Sequence, residues 1–93
     1  QNIYQSQEVI EKEIVGYEIL QTLLHKFITA VNNQYHNSLS NYDKLILKML
    51  PEKFQNEKDT LYQRLLQICH YVSLLTDGKA LELFETINGR KKV

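Results

Sequence analysis

Glycine and proline are scarce in this chain, which has three glycines and one proline among its 93 residues. Because these residues mark turns and interrupt helices, their scarcity favours long helices joined by few turns. The chain also has a single cysteine, Cys69, which excludes a disulfide within the chain. One free cysteine favours a reducing compartment, and we expect a cytoplasmic protein.

Long apolar runs and an excess of charge of one sign are also lacking. No apolar run approaches the ~18 residues that a transmembrane helix needs, so we expect no membrane partner. Lysine and arginine together number 11, as do aspartate and glutamate, which gives a formal net charge of zero. A balanced charge gives no general attraction to nucleic acid or to an anionic membrane surface. The length suits one small domain, which we expect to span residues 1–93.

Apolar residues recur at spacings of three and four along most of the chain, a periodicity typical of helices with an apolar face. The pattern predicts an all-α fold, a small bundle of about four helices. The polar, aperiodic segment Asn32–Ser40 predicts a loop. Pro51 ends the second helix, because the residue before a proline is disfavoured in the helical region. The predicted helices cover residues ~7–31, ~41–50, ~58–75 and ~77–88.

The first predicted helix is apolar on more than one face. One stripe runs from Ile10 to Val31, and Val15, Ile19 and Leu23 form a second stripe on a different face. Such a helix should be buried on more than one side, and a chain this short has little left to cover the second face. We therefore predict that the isolated chain self-associates, most simply as a symmetric dimer, through Val15 and Leu23.

The third predicted helix has one continuous apolar stripe, spaced four and three residues apart. We expect this stripe to pack on the first helix, with Leu65, Ile68 and Val72 buried against it. Short polar residues mark the helix starts, because their side-chain oxygens can accept hydrogen bonds from the first turn. The predicted caps are Ser6 for the first helix, Ser40 or Asn41 for the second, and Thr76 for the fourth, with Asp77 at the positive end of that helix.

The chain carries no recognisable catalytic or metal-binding pattern. Its histidines, His25, His36 and His70, lie far apart and lack ligand spacing, so we expect surface or structural roles. Cys69 and His70 are not a nucleophile–base pair, because adjacent helical residues point about 100° apart. Glu82 and Glu85, which lie one turn apart in the last helix, are interpreted as part of a solvated face. We therefore predict no catalytic residue and no metal ligand in this chain.

The last third of the chain resembles the C-terminal end of the deoxyguanosine-triphosphate triphosphohydrolases (dGTPases), a family of the HD phosphohydrolase superfamily. That family closes with a pattern like Arg-x-x-x-x-x-Asp-Tyr-Ile-Ser-Gly-Met-Thr-Asp-x-x-Ala, followed by a helix of the Leu-Tyr type. Weaker similarity covers Glu13 to Phe27 and the Leu50–Pro51 step. His70, Leu74 and Leu75 depart from the family's Asp, Gly and Met. The matching residues are Arg64, Tyr71, Ser73, Thr76, Asp77, Ala80, Leu83 and Phe84.

The resemblance implies a fragment of a longer enzyme, and a chain that begins with Gln1 rather than methionine is in keeping with that expectation. The parent enzyme would hydrolyse dGTP, or a related dNTP, with a divalent metal, Mg²⁺ or Mn²⁺. The superfamily's metal site needs a His, a His-Asp dipeptide and a distant Asp, and this sequence has no His-Asp dipeptide. Catalysis is therefore expected in an HD domain upstream of Gln1.

The same resemblance implies the partners. The partners would be the upstream HD domain, a dNTP substrate or effector, and further copies in a homo-oligomer. From the residues themselves, Arg64 and Tyr71 are candidates for contact with a nucleotide or a neighbouring subunit, although the Arg64 side chain could equally extend to water. For Thr76 and Asp77, capping is favoured over ligand contact. The role expected for the chain is support and assembly without turnover; the alternative is a free-standing helical module that presents a groove to a partner helix.

Overall fold

The structure, a computed structural model, describes residues 6–89 and shows an all-α architecture. No strand occurs between residues 6 and 89, so the predicted fold class is confirmed for this part of the chain. A short 3₁₀ turn, Glu52–Phe54, follows Pro51. Within the described residues there are four α-helices: α1 Gln7–Tyr35, α2 Asn41–Lys48, α3 Leu61–Ser73 and α4 Asp77–Ile87.

The C-terminal end of α1 corrects the sequence prediction, because the segment predicted as a loop is helical as far as Tyr35. Tertiary hydrogen bonds hold this polar turn in the helix. The Asn33 amide donates to the Asp43 carboxylate at 2.8 Å, and Gln34 accepts from Arg64. The chain leaves the helix at Asn37, whose φ of 57° lies in the left-handed region that asparagine tolerates.

The start of α3 also differs from the predicted bound near residue 58. Residues 57–59 form a turn, in which the Asn56 side chain accepts from the Lys58 backbone N–H and donates to Asp59. The helix begins at Leu61, because Thr60 and Gln63 form a reciprocal capping box. It ends at Ser73, two residues before the predicted bound, and α2 likewise ends at Lys48 rather than near residue 50.

Hydroxyl side chains cap the other helices. Ser6 Oγ accepts from the Val9 N–H at 3.3 Å, and Ser40 Oγ accepts from the Asp43 N–H at 3.1 Å. Thr76 Oγ1 accepts from the Lys79 N–H at 3.1 Å, which fixes the start of α4 directly after the short α3–α4 connection. Each such cap contributes about 1 kcal/mol to stability.

The core lies around the C-terminal two thirds of α1, because α2, α3 and α4 all pack against this helix. Phe27 and Leu23 of α1 and Ile68 of α3 are fully buried at its centre. Val72 is also buried, whereas Leu65 is only half-buried.

The N-terminal part of α1 extends beyond the core. A helix of 29 residues is about 43 Å long, and its first buried residue is Ile19. Val15 is 53% exposed, whereas Leu23 has no exposed surface. The predicted second stripe is therefore not one surface, and Leu23 was wrongly placed on a docking face.

No helix between residues 6 and 89 combines the length and hydropathy that a membrane crossing requires.

Candidate functional site

One concave feature of the described residues is an apolar groove, here called the open groove, with a cavity volume of about 890 Å³. One wall is the N-terminal half of α1. The other is formed by the end of α3, the short connection that follows, and the start of α4. The apolar lining consists of Val15, Ile19, Leu20, Leu24, Val72, Leu75, Ala80 and Leu81.

The geometry of the open groove follows from the connection between α3 and α4. Only three residues, 74–76, separate the two helices, so the chain turns sharply where α3 leaves α1. Thr76 then starts α4 with its cap, and Ala80 is buried against the core. The N-terminal half of α1 extends past this turn. It therefore faces the end of α3 and the start of α4 on the groove side.

The charged residues of the open groove are mostly acidic. Glu8, Glu11 and Lys12 lie on the α1 wall and Asp77 lies on the α4 wall. Lys12 Nζ lies 3.2 Å from Glu8 Oε1, and both side chains are well exposed, so this pair contributes little to stability. Glu11 accepts from the Gln7 amide at 3.2 Å. Within residues 6–89 neither Glu11 nor Asp77 has a cationic partner, so the groove keeps a net negative charge.

Exposed apolar side chains continue from the open groove around the N-terminal half of α1. Tyr17 is 72% exposed, and Ile14 and Val9 are also largely exposed. Gly16 lines the groove, and a β-carbon there would meet no atom within 4 Å. A close helix approach at Gly16, one interpretation of a glycine in mid-helix, therefore has no counterpart among the described residues.

Arg64 lies at the other end of the bundle and is only 5% exposed, so its side chain does not extend to water as one interpretation expected. One Nη2 hydrogen bond goes to Gln34 in the last turn of α1, where the negative end of the helix dipole favours a cation. Its Nε is buried and has no hydrogen-bond partner among residues 6–89, and no carboxylate pairs with the guanidinium there. The free-energy cost of removing this cation from water is therefore only partly offset by its hydrogen bond to Gln34.

Tyr71 is buried on the same face of α3, two turns after Arg64. Its ring lies edge-on to Phe27, with centroids 6.0 Å apart, and packs at 5.1 Å against Phe54 of the 3₁₀ turn. Burial raises the pKa of the Tyr71 phenol. These contacts are those of a core residue.

Arg64 is also far from the open groove. Its hydrogen-bond partner Gln34 lies about 28 Å along α1 from Val15, so the structure does not bring Arg64 into the groove.

The three histidines and the cysteine lie at the surface, and two of the histidines make local contacts. His36 Nδ1 lies 2.8 Å from the Asn32 carbonyl, and the exposed His70 packs edge-on against Phe54 at 6.0 Å. His25 and Cys69 are exposed. No group of three or more histidine, cysteine, aspartate or glutamate side chains between residues 6 and 89 could hold a metal ion.

Sequence reasoning missed the polar contact that joins α1 to α2. The buried Asp43 carboxylate accepts from the Asn33 amide and from the Ser40 backbone N–H at 3.3 Å. The hydrogen bond from Asn33, and then those from Ser40, hold the pKa of Asp43 below its usual range, against the opposing effect of burial. The Ser40-x-x-Asp43 spacing of a capping box was the signal available in the sequence.

Comparison with known proteins finds relatives over nearly the whole chain. A deoxyguanosinetriphosphate triphosphohydrolase-like protein of Listeria monocytogenes is 31% identical over 100 aligned positions, which cover 94% of this chain and 22% of that protein. Proteins of the same name from Synechocystis sp. and Pseudomonas aeruginosa are each 28% identical; the alignments cover 94% and 97% of this chain and 19% and 20% of those proteins. The resemblance inferred from the sequence is thereby confirmed.

The similarity is partial from the side of the relatives. The chain spans about a fifth of the length of the curated relatives that it matches. No protein-family model matches the chain. No solved structure matches it either.

Proposed function

We propose that this chain, similar over nearly its whole length to deoxyguanosinetriphosphate triphosphohydrolase-like proteins, is the C-terminal helical domain of such an enzyme. The observation that carries this proposal is the coverage: 94% of the chain aligns with only 22% of the Listeria protein. The parent would use water to cleave dGTP, or a related dNTP, into a deoxynucleoside and triphosphate. A divalent metal, Mg²⁺ or Mn²⁺, would be bound upstream, and the protein would act in the cytoplasm.

Within the parent this domain would support the catalytic domain and the assembly of subunits. Its sequence has no His-Asp dipeptide, and the described residues offer no metal-binding cluster. Its surface suits a contact role, because the N-terminal half of α1 exposes large apolar side chains next to the open groove. Contiguous apolar surface of this kind marks interaction sites. A homo-oligomer, with the HD domain and a bound dNTP as further partners, is part of the proposal.

The first test is the reading frame that encodes the chain. We expect it to continue upstream through a His, a His-Asp dipeptide and a distant Asp. The purified full-length protein should release triphosphate from dGTP with Mn²⁺ or Mg²⁺, whereas the 93-residue chain should release none above a no-enzyme control. The matched control is the full-length protein with the His-Asp dipeptide replaced by Ala-Ala. Triphosphate release by the 93-residue chain would overturn the proposal.

A free-standing helical interaction module remains the second candidate, and the open groove is the observation that favours it. The same reading frame separates the two. An open reading frame without the HD signature would support the free-standing module and contradict the enzyme domain.

A further inference from the structure

We propose that the open groove binds a basic amphipathic helix, contributed by a part of the parent polypeptide outside these 93 residues. The inference rests on the proposed function for the source of that helix. The open groove, an apolar concavity of the described residues, thereby gains a partner of stated chemistry.

The shape of the groove suits a helix. From Glu8 to Leu24, the α1 wall is about 24 Å long, which matches four to five helical turns. Most of the lining is apolar, with side chains from α1, α3 and α4. An amphipathic helix that lays its apolar face into such a groove is a recurring mode of recognition. Val15 is the most exposed of the large apolar lining residues at 53%, so its side chain is available for contact with such a helix.

The charges of the groove select a basic occupant. Glu11 on one wall and Asp77 on the other have no cationic partner within residues 6–89, whereas Lys12 is already paired with Glu8. A helix with lysine or arginine on both flanks of its apolar face would meet these carboxylates. A helix with acidic flanks would be repelled.

The same charges disfavour a second copy of this chain as the occupant, which argues against the dimer through Val15 that the sequence pattern predicted. The first half of α1, residues 7–20, carries four glutamates and one lysine, so two such segments side by side would repel each other. The exposed side of α2 carries Leu45 between two lysines, but α2 has only eight residues and would cover about half of the groove. An anionic membrane surface would also be repelled. A helix of the parent polypeptide meets none of these objections, and the covalent link raises its effective concentration.

Designed peptides test the chemistry of the groove. Two helical peptides of about 18 residues carry leucine on one face and either lysine or glutamate on both flanks. Fluorescence anisotropy of labelled peptide against the 93-residue chain should show binding that is about tenfold or more tighter for the lysine peptide. Equal affinity for both peptides, or tighter binding of the glutamate peptide, would overturn the proposal.

Matched variants locate the binding. Val15→Asp and Leu45→Asp each add one negative charge and remove one exposed apolar side chain, but only Val15 lies in the groove. If the peptide binds in the groove, Val15→Asp should lower the affinity for the lysine peptide about tenfold or more, and Leu45→Asp should change that affinity by no more than about twofold. Attraction to acidic surface in general predicts no loss for either variant, and that outcome would refute the inference. Circular dichroism confirms that both variants keep the helical signal of the parent chain.

A second pair of variants isolates the charge. Glu11→Lys and Glu18→Lys change the net charge equally on the same helix, but Glu18 lies outside the open groove. Glu11→Lys should weaken the lysine peptide several-fold more than Glu18→Lys does. Equal effects of the two substitutions would show that Glu11 does not contact the basic flanks of the bound helix, and this result would contradict the proposal.

The source of the helix is tested in the full-length protein. A carbodiimide joins carboxylates to lysines in contact, so mass spectrometry should find Glu11 or Asp77 linked to a lysine of the same polypeptide outside these 93 residues. A link to a second copy, or no link at all, would contradict this inference and leave the proposed function standing. A reading frame without an HD domain would instead remove the proposed function, whatever the peptides show.

Discussion

Ile68→Ala is the substitution that tests the packing of α3 on α1 most sharply. Ile68 has no exposed surface and lies at the centre of the core. The change removes three buried carbon groups, which at ~0.8 kcal/mol each amounts to about 2.4 kcal/mol of transfer free energy. A cavity that relaxes only in part adds a further cost at ~24 cal/mol per Å³, so we expect a total loss of about 2.5–4 kcal/mol.

The measurement is urea unfolding followed by helical circular dichroism. Chains of this size have free energies of unfolding of about 5–14 kcal/mol, so the variant should remain folded with a lowered midpoint and an unchanged slope. Leu66→Ala is the matched control, because Leu66 lies two residues away on the same helix and is 50% exposed. We expect it to cost under about 1 kcal/mol. A loss below about 0.5 kcal/mol for Ile68→Ala, or equal losses for both variants, would refute the packing argument.

Three further predictions concern polar contacts. Thr76→Ala should lower the free energy of unfolding by about 1 kcal/mol, because it leaves the Lys79 N–H without its cap, whereas Thr76→Ser should preserve it; equal losses would contradict the cap. The pKa of Asp43 is lowered in the folded state, so its contribution to stability is present above the unfolded pKa of about 3.9 and is lost as the pH falls through the lower folded value. The stability difference between the wild type and Asp43→Asn in urea unfolding should therefore shrink below about pH 4, and a constant difference would count against it. Arg64→Met should leave the free energy of unfolding of the isolated chain unchanged or raise it by about 1–3 kcal/mol, because an apolar side chain replaces a buried cation that has no ionic partner among the described residues. A loss of more than about 2 kcal/mol in the free energy of unfolding would show that the cation is better paired than the described residues allow.

The sequence predicted most of the fold because the local signals are strong. The apolar spacing and the scarcity of glycine and proline predict helices, and hydroxyl residues such as Thr76 mark where they start. The errors lie where tertiary contacts override local pattern. Asn33 and Gln34 look like loop residues until Asp43 and Arg64 pair with them, and those partners lie ten and thirty residues away.

The open groove was predictable only in part. The double stripe of α1 indicated that the helix had apolar surface to spare, but helical spacing alone does not tell which part of a stripe the rest of the chain covers. Val15 and Leu23 are equivalent in sequence pattern, and the position of α3 and α4 along α1 buries one and exposes the other. The buried state of Arg64 could not be foreseen either, because an arginine in an amphipathic helix normally keeps its head in water.

The role of this chain as a supporting domain is tested most directly by removing it from the full-length protein. We predict that the parent lacking these 93 residues loses its assembly state in sedimentation and most of its dGTP hydrolysis, and that adding the 93-residue chain in trans restores part of both. Restoration should fail with Val15→Asp and persist with Leu45→Asp. A truncated protein that keeps its full rate of triphosphate release and its oligomeric state would contradict the account.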